Sequence, residues 1–182
     1  KHAEALAMQE KALAVERQAL GHEHERHIMS LLNLGTSYRE QGMLDEALAV
    51  LQEGLGIMRR IHPERHSREG MFLVSIGSVL RDQGKKEEAL AMYNQGIRIY
   101  RRTVGPQSPE MGRALVNTSI VMRDHGNHQE AIERLEQALA IFRGVLGDEH
   151  NEVAGTLFNM ALAKGRSGDN EGATVCVREA HR

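Results

Sequence analysis

Tryptophan is absent from these 182 residues, cysteine occurs once and proline three times. Each scarcity removes a class of protein. The single Cys176 cannot close an intramolecular disulfide, which excludes the stapled secreted scaffolds. With three Tyr, three Phe and no Trp, there is no series of aromatics on which nucleic-acid bases could stack. A formal charge of -2 with acids and bases interspersed lacks the basic surplus that nucleic acid or an anionic membrane surface attracts. No apolar run reaches the ~18 residues of a membrane span. We therefore expect neither a nucleic-acid nor a membrane partner, and a cytoplasmic setting. The chain opens at Lys1 without an initiator Met or a signal pattern, which reads as a segment of a longer protein.

What the chain does have is helix-forming composition and a period. Apolar residues make up 41% and charged residues 26%, in the proportions of a folded helical protein. Gly42, Gly84, Gly126 and Gly168 recur every 42 residues without a gap, as do Ala5, Ala47, Ala89, Ala131 and Ala173. With 18 Gly in the chain, three further glycines in register arise by chance roughly once in a thousand trials. Leu31, Leu73, Leu115 and Leu157 form another column, and Arg17, Arg59, Arg101 and Arg143 a further one.

Within each interval the apolar spacing is helical: Leu31, Leu34 and Tyr38, then Leu44, Ala47, Leu48, Leu51 and Leu55. Each unit is thus two helices, with Gly42 and its equivalents ending the first by a left-handed residue. Asn127 and Asp169 suit the next N-cap, and Ser108-Pro109 is a cap followed by a first helical residue. The second helices end at Gly21, Pro63, Gly105 and Gly147. The predicted helices are 2–20, 26–41, 44–62, 68–83, 86–104, 109–125, 128–146, 151–167 and 170–182. Gly54 and Gly96 fall inside second helices, where their small size predicts close packing.

The segment NLGTSYREQGMLDEAL, Asn33 to Leu48, resembles the tetratricopeptide repeat. The 42-residue length and LGDEHNEVAGTLFNMA, Leu146 to Ala161, look like the longer repeats of the kinesin light chain group. That subtype carries a Gly-x-x-His-Pro loop and a Leu-Asn-Asn-Leu-Ala helix. His24, His66 and His150 match the loop His, with Ser108 in its place once, and Pro follows only there, as Pro109. Asn33, Asn117 and Asn159 match the second Asn, with Ser75 standing in. Leu32, Val74, Val116 and Phe158 replace the first, and we expect them in the core rather than as pockets for a partner's side chains.

The resemblance implies an all-α fold, a right-handed superhelical solenoid of antiparallel helix pairs. It implies one array over 1–182: a truncated repeat's second helix at 1–24, repeats at 25–66, 67–108 and 109–150, and an incomplete repeat at 151–182. It also implies that first helices line a concave, partner-binding surface. On that face we place two ladders, Asn33, Ser75, Asn117 and Asn159, and Arg39, Arg81 and Arg123. Asn amides donate and accept, so a ladder of them can hold an extended backbone. Guanidinium groups select carboxylates. The expected function is a non-catalytic adaptor binding an extended or helical, acidic peptide segment of a partner protein. Glu40, Asp82 and Asp124, each directly after an Arg, offer the competing view of locally paired surface charges.

His22, His24 and His27 lie close in GHEHERH, but His24 belongs to the repeat column and no Cys completes a soft site, so no metal or cofactor is expected. No nucleophile with a base and no phosphate loop is apparent, so no enzyme activity is expected. Alternatives to the adaptor are a structural or oligomerising solenoid and a sensor restraining an attached effector. Leu6, Leu13 and Leu20 at one end, with Val175 and Val177 at the other, lack the polar caps of a closed solenoid, so end-to-end self-association is expected if no further repeats flank them.

Overall fold

The computed structural model describes residues 2–62, 64 and 66–181, with backbone alone for 2–5. Among these it contains nine helices and no strand: α1 (His2–Leu20), α2 (Glu25–Glu40), α3 (Leu44–Ile61), α4 (Ser67–Asp82), α5 (Lys86–Thr103), α6 (Pro109–Asp124), α7 (His128–Leu146), α8 (Asn151–Ser167) and α9 (Asn170–Ala180). Every boundary falls within two residues of the sequence expectation. The break expected at Pro63, and the side chain of Ala5, lie outside the described residues. None of the helices is long and apolar enough to cross a membrane.

The chain divides into two compact units, Lys1–Ile99 and Tyr100–Arg182. In the first, α1 packs on α2, α2 on α3 and α3 on α4, while α2 also touches α4. Its core is built from Ile28, Leu31, Leu51, Met58, Phe72, Leu73 and Tyr93. In the second, α6 packs on α7, α7 on α8 and α8 on α9, and α6 also touches α8. Met111, Leu115, Leu135, Phe142, Val153 and Leu157 form that core. In both units, therefore, first helices meet first helices directly.

One hydrogen-bonded turn is repeated at each first-to-second helix junction. After α2, the Gly42 N–H donates to the Arg39 carbonyl at 2.9 Å and the Met43 N–H to the Tyr38 carbonyl at 2.9 Å. This is the Schellman arrangement, which needs a left-handed residue and satisfies carbonyls left open at the helix end. Gly42 has φ 76°, and Gly84, Gly126 and Gly168 adopt the same region. Of the two N-caps expected just beyond, Asp169 accepts from the Gly172 N–H at 2.8 Å, but Asn127 occupies its cap position without a side-chain capping bond.

The histidine column has a local task. His24, His66 and His150 are the N-caps of α2, α4 and α8, and each Nδ1 accepts from the backbone N–H two residues on at 3.1 Å. Ser108 takes the same place before α6, its Oγ accepting from the Met111 N–H at 3.2 Å. A serine can stand in the histidine column because the position calls for an acceptor aimed at open amides.

Interhelical packing depends on missing side chains. A Cβ on Gly54 would lie 2.5 Å from Phe72 Cε1, and one on Gly112 2.6 Å from Phe142 Cε1. On Gly96 it would meet Val74 Cγ2 at 2.9 Å. Rings lie against backbone there, which supplies the dispersion contacts that offset glycine's poor helix propensity.

Candidate functional site

Both polar ladders lie on first helices. Asn33 on α2 is exposed, while Ser75 on α4, Asn117 on α6 and Asn159 on α8 are half-buried. Arg39, Arg81 and Arg123 occupy the last turns of α2, α4 and α6, where a cation faces the negative end of the helix dipole.

In the first unit, two arginines converge on one acid. Arg81 Nε and Nη2 donate to Asp82 Oδ1 at 3.0 and 2.9 Å, and Arg39 Nε lies 3.6 Å from Asp82 Oδ2. The second unit repeats the arrangement from other positions: Arg123 Nε donates to Asp124 Oδ1 at 3.2 Å, and Arg166 Nη1 approaches the same oxygen at 3.4 Å. Arg166 was outside the sequence ladder, because position 166 holds an acid in the other intervals. Each unit therefore sets two guanidinium groups around one carboxylate.

The amide ladder is less uniform than its spacing suggests. Asn159 Nδ2 donates to the Gly155 carbonyl at 2.9 Å, and its Oδ1 accepts from Arg123 Nη1 at 3.4 Å. That contact joins the two ladders in the second unit and occupies one of the four positions with internal bonds. Tyr38, which the periodicity placed with the core, is half-buried instead. Its hydroxyl donates to Glu10 Oε1 at 2.6 Å, and that acceptor together with burial pushes the phenol up to about 12.

The apolar column beside the amides splits. Leu32 is buried, as a core position should be, whereas Val74 and Val116 are only half-buried. Phe158 is 56% exposed, with Leu162 one turn on 41% exposed. This corrects the core expectation for Phe158: α8 turns the ring outward, next to Asn159. An exposed aromatic beside convergent polar groups is the type of anchor that binding surfaces use.

A second cluster lies in the first unit, away from the ladders. His27 on α2 is 1% exposed, and among the described residues neither ring nitrogen finds a hydrogen-bond partner. A buried polar atom without a partner costs about 1–3 kcal/mol. Burial, the largest cause, lowers its pKa below the ordinary imidazole value, with Glu53 acting in the opposite direction. The adjoining cavity, of about 390 Å³, is lined by Glu10, Leu13, Arg17, His27 and Glu53 among others. Cys176, by contrast, is buried in α9 with its thiol pushed up by burial, the condition of an inert packing residue.

The tetratricopeptide repeat profile matches residues 1–60, 69–144 and 126–182. No curated protein matches the sequence significantly. Solved structures do match the fold. The nearly identical kinesin light chain TPR-like repeats from Podosopora anserina superpose with a TM-score of 0.76 at 22% identity, covering 99% of this chain and 85% of that one. BtubC (BKLC) from P. vanneervenii gives a TM-score of 0.84 at 21% identity, covering 100% and 72%. The apo form of RapI gives 0.77 at 15% identity, covering 99% and 48%. These likenesses establish the helix-pair solenoid fold that the resemblance implied. With the profile matched over most of its length, the chain belongs to the tetratricopeptide repeat family.

Proposed function

We propose that the chain is a non-catalytic adaptor in which the first helices of each unit bind an extended or helical, acidic peptide segment of a partner protein. The contacts in the first unit are Asn33, Arg39, Ser75 and Arg81, and in the second Asn117, Arg123 and Asn159, with Phe158 as an apolar anchor. The observation that carries this reading is the two-to-one ratio of guanidinium to carboxylate at Asp82 and at Asp124. One acid cannot satisfy the donors of two arginines, so a ligand carboxylate meets donors already positioned for it. Arg39, Arg81 and Arg123 are partly covered, with side-chain exposures of 29%, 25% and 12%. Partial burial raises the worth of a charged contact above that of a fully solvated pair.

The test is a screen of extended peptides graded in acidity against the wild-type chain and an R81E/R123E variant. Salt-sensitive binding of acidic peptides that the variant loses supports the reading. Equal binding by a folded variant would reduce the arginines to surface residues.

A second reading, self-association, is favoured by apolar exposure on the first and last helices. Met8 and Val15 on α1 are 72% and 63% exposed, and Val175 on α9 is 56% exposed. Sedimentation checks it: association that rises with concentration supports it, and a strict monomer at high concentration removes it.

A further inference from the structure

The first unit carries a group of side chains that the repeat pattern does not explain. In the equivalent places of the later intervals, His27 is replaced by Glu69, Met111 and Val153. Met111 and Val153 are buried apolar residues, and Glu69 is paired with Arg59 at 2.9 Å. The position is thus normally filled either by hydrocarbon or by an ion pair. His27 is neither: it is an imidazole enclosed almost completely, with both nitrogens unpartnered among the described residues.

Its neighbours are donors. His22, in the turn between α1 and α2, lies edge-on to His27 with ring centroids 5.8 Å apart. Glu53 reaches the same place from α3, and one ligand atom from each of His22, His27 and Glu53 lies within 4.8 Å of the other two. We infer that His22, His27 and Glu53 form a binding site for a divalent transition-metal ion of the zinc class. Two imidazoles and a carboxylate suit Zn²⁺, Co²⁺ or Ni²⁺ and give no all-oxygen cage for Ca²⁺ or Mg²⁺. His24, close in sequence, stands outside this group and caps α2, its Nδ1 accepting from the Arg26 N–H.

Ligand bonds to zinc run about 2.0–2.2 Å, so the donors must draw slightly closer around an ion. The geometry allows it. His27 is fixed by burial, whereas His22 and Glu53 are exposed. The competitor is Arg17, whose Nε donates to His22 Nε2 at 2.8 Å and would have to swing aside or leave the other ring nitrogen to the metal. Arg17 is itself exposed.

Titration of the whole chain with Zn²⁺, followed by calorimetry, and with Co²⁺, followed by its visible absorption, tests the site. The expected result is saturation at one ion per chain, with H22A and E53Q each weakening affinity at least roughly tenfold and H62A leaving it unchanged. The ring resonances of His27 should shift as Zn²⁺ is added. Because His22 and Glu53 are exposed, their variants should retain wild-type circular dichroism. The inference is overturned by the absence of saturable binding, by an H22A/E53Q double variant that binds as the wild type does, or by His27 resonances that stay fixed while other histidines move.

Discussion

Arg39, at the end of α2, reaches Asp82, at the end of α4, with Nε 3.6 Å from Oδ2. These residues are 43 positions apart, one repeat plus one residue, so the contact spans successive first helices. Asp82 also holds its own neighbour Arg81. The acid therefore organises both guanidinium groups and, on the proposed function, is the intramolecular rival of a ligand's carboxylate. A D82N variant should bind acidic peptides more tightly than the wild type, while R81E should bind them more weakly. Opposite signs from two changes that remove the same ion pair separate ligand recognition from mere loss of that pair.

Gly84, at a junction, and Gly144, within α7, should respond oppositely to the same substitution. Gly84 has φ 80° and open space around a would-be Cβ, so G84A meets strain of backbone alone, about 1–2 kcal/mol. Gly144 lies within α7 with nothing near a would-be Cβ. G144A should stabilise the chain by about 0.5–1 kcal/mol through helix propensity. Urea melts of the two variants check the signs.

Packing predicts a different failure at Gly54. G54A should destabilise by about 1–3 kcal/mol through overpacking, because the new methyl meets the Phe72 ring. If the ring is the obstacle, F72L should relieve part of the cost when the two are combined. A thermodynamic cycle of the four proteins measures that coupling.

The cap of α4 should make stability pH-dependent. His66 Nδ1 can accept from the Arg68 N–H only when it carries no proton. Burial first, then the charges of His62 and Arg68, lowers its pKa below the ordinary 6.5, with Glu25 acting in the opposite direction. Between the lowered native value and 6.5 the unfolded chain binds more protons, so this contribution is complete above 6.5 and is lost as pH falls through the native value. H66S should keep a cap, as Ser108 does before α6, and remove this part of the acid sensitivity. H66A should lose about 1 kcal/mol at neutral pH. Melts of all three proteins at neutral and mildly acid pH check both statements.

Much of this was legible in the sequence because a repeat reports each position several times. The Gly42 column announced the left-handed junctions, and Gly54 and Gly96 announced close approach. What escaped depended on side chains meeting across helices or on departures from the period. Glu53 stands 26 residues from His27 on another helix, so the grouping with His22 had no local pattern. Arg166 occupies an acid's column, which hid the second pair of arginines. Phe158 follows a mostly covered column, yet α8 exposes it. The histidine column was visible, but its use as a cap required the bond from Nδ1 to the amide.

The most direct measurement is the affinity of one acidic extended peptide, and of its Glu→Gln counterpart, for the wild-type, D82N and R81E/R123E chains at low and high salt. The acidic peptide should bind tighter than its neutral counterpart, with salt eroding the difference. D82N should strengthen the preference and R81E/R123E abolish it. Equal affinities for the two peptides across all three chains would contradict recognition by the arginines and leave them as paired surface charges.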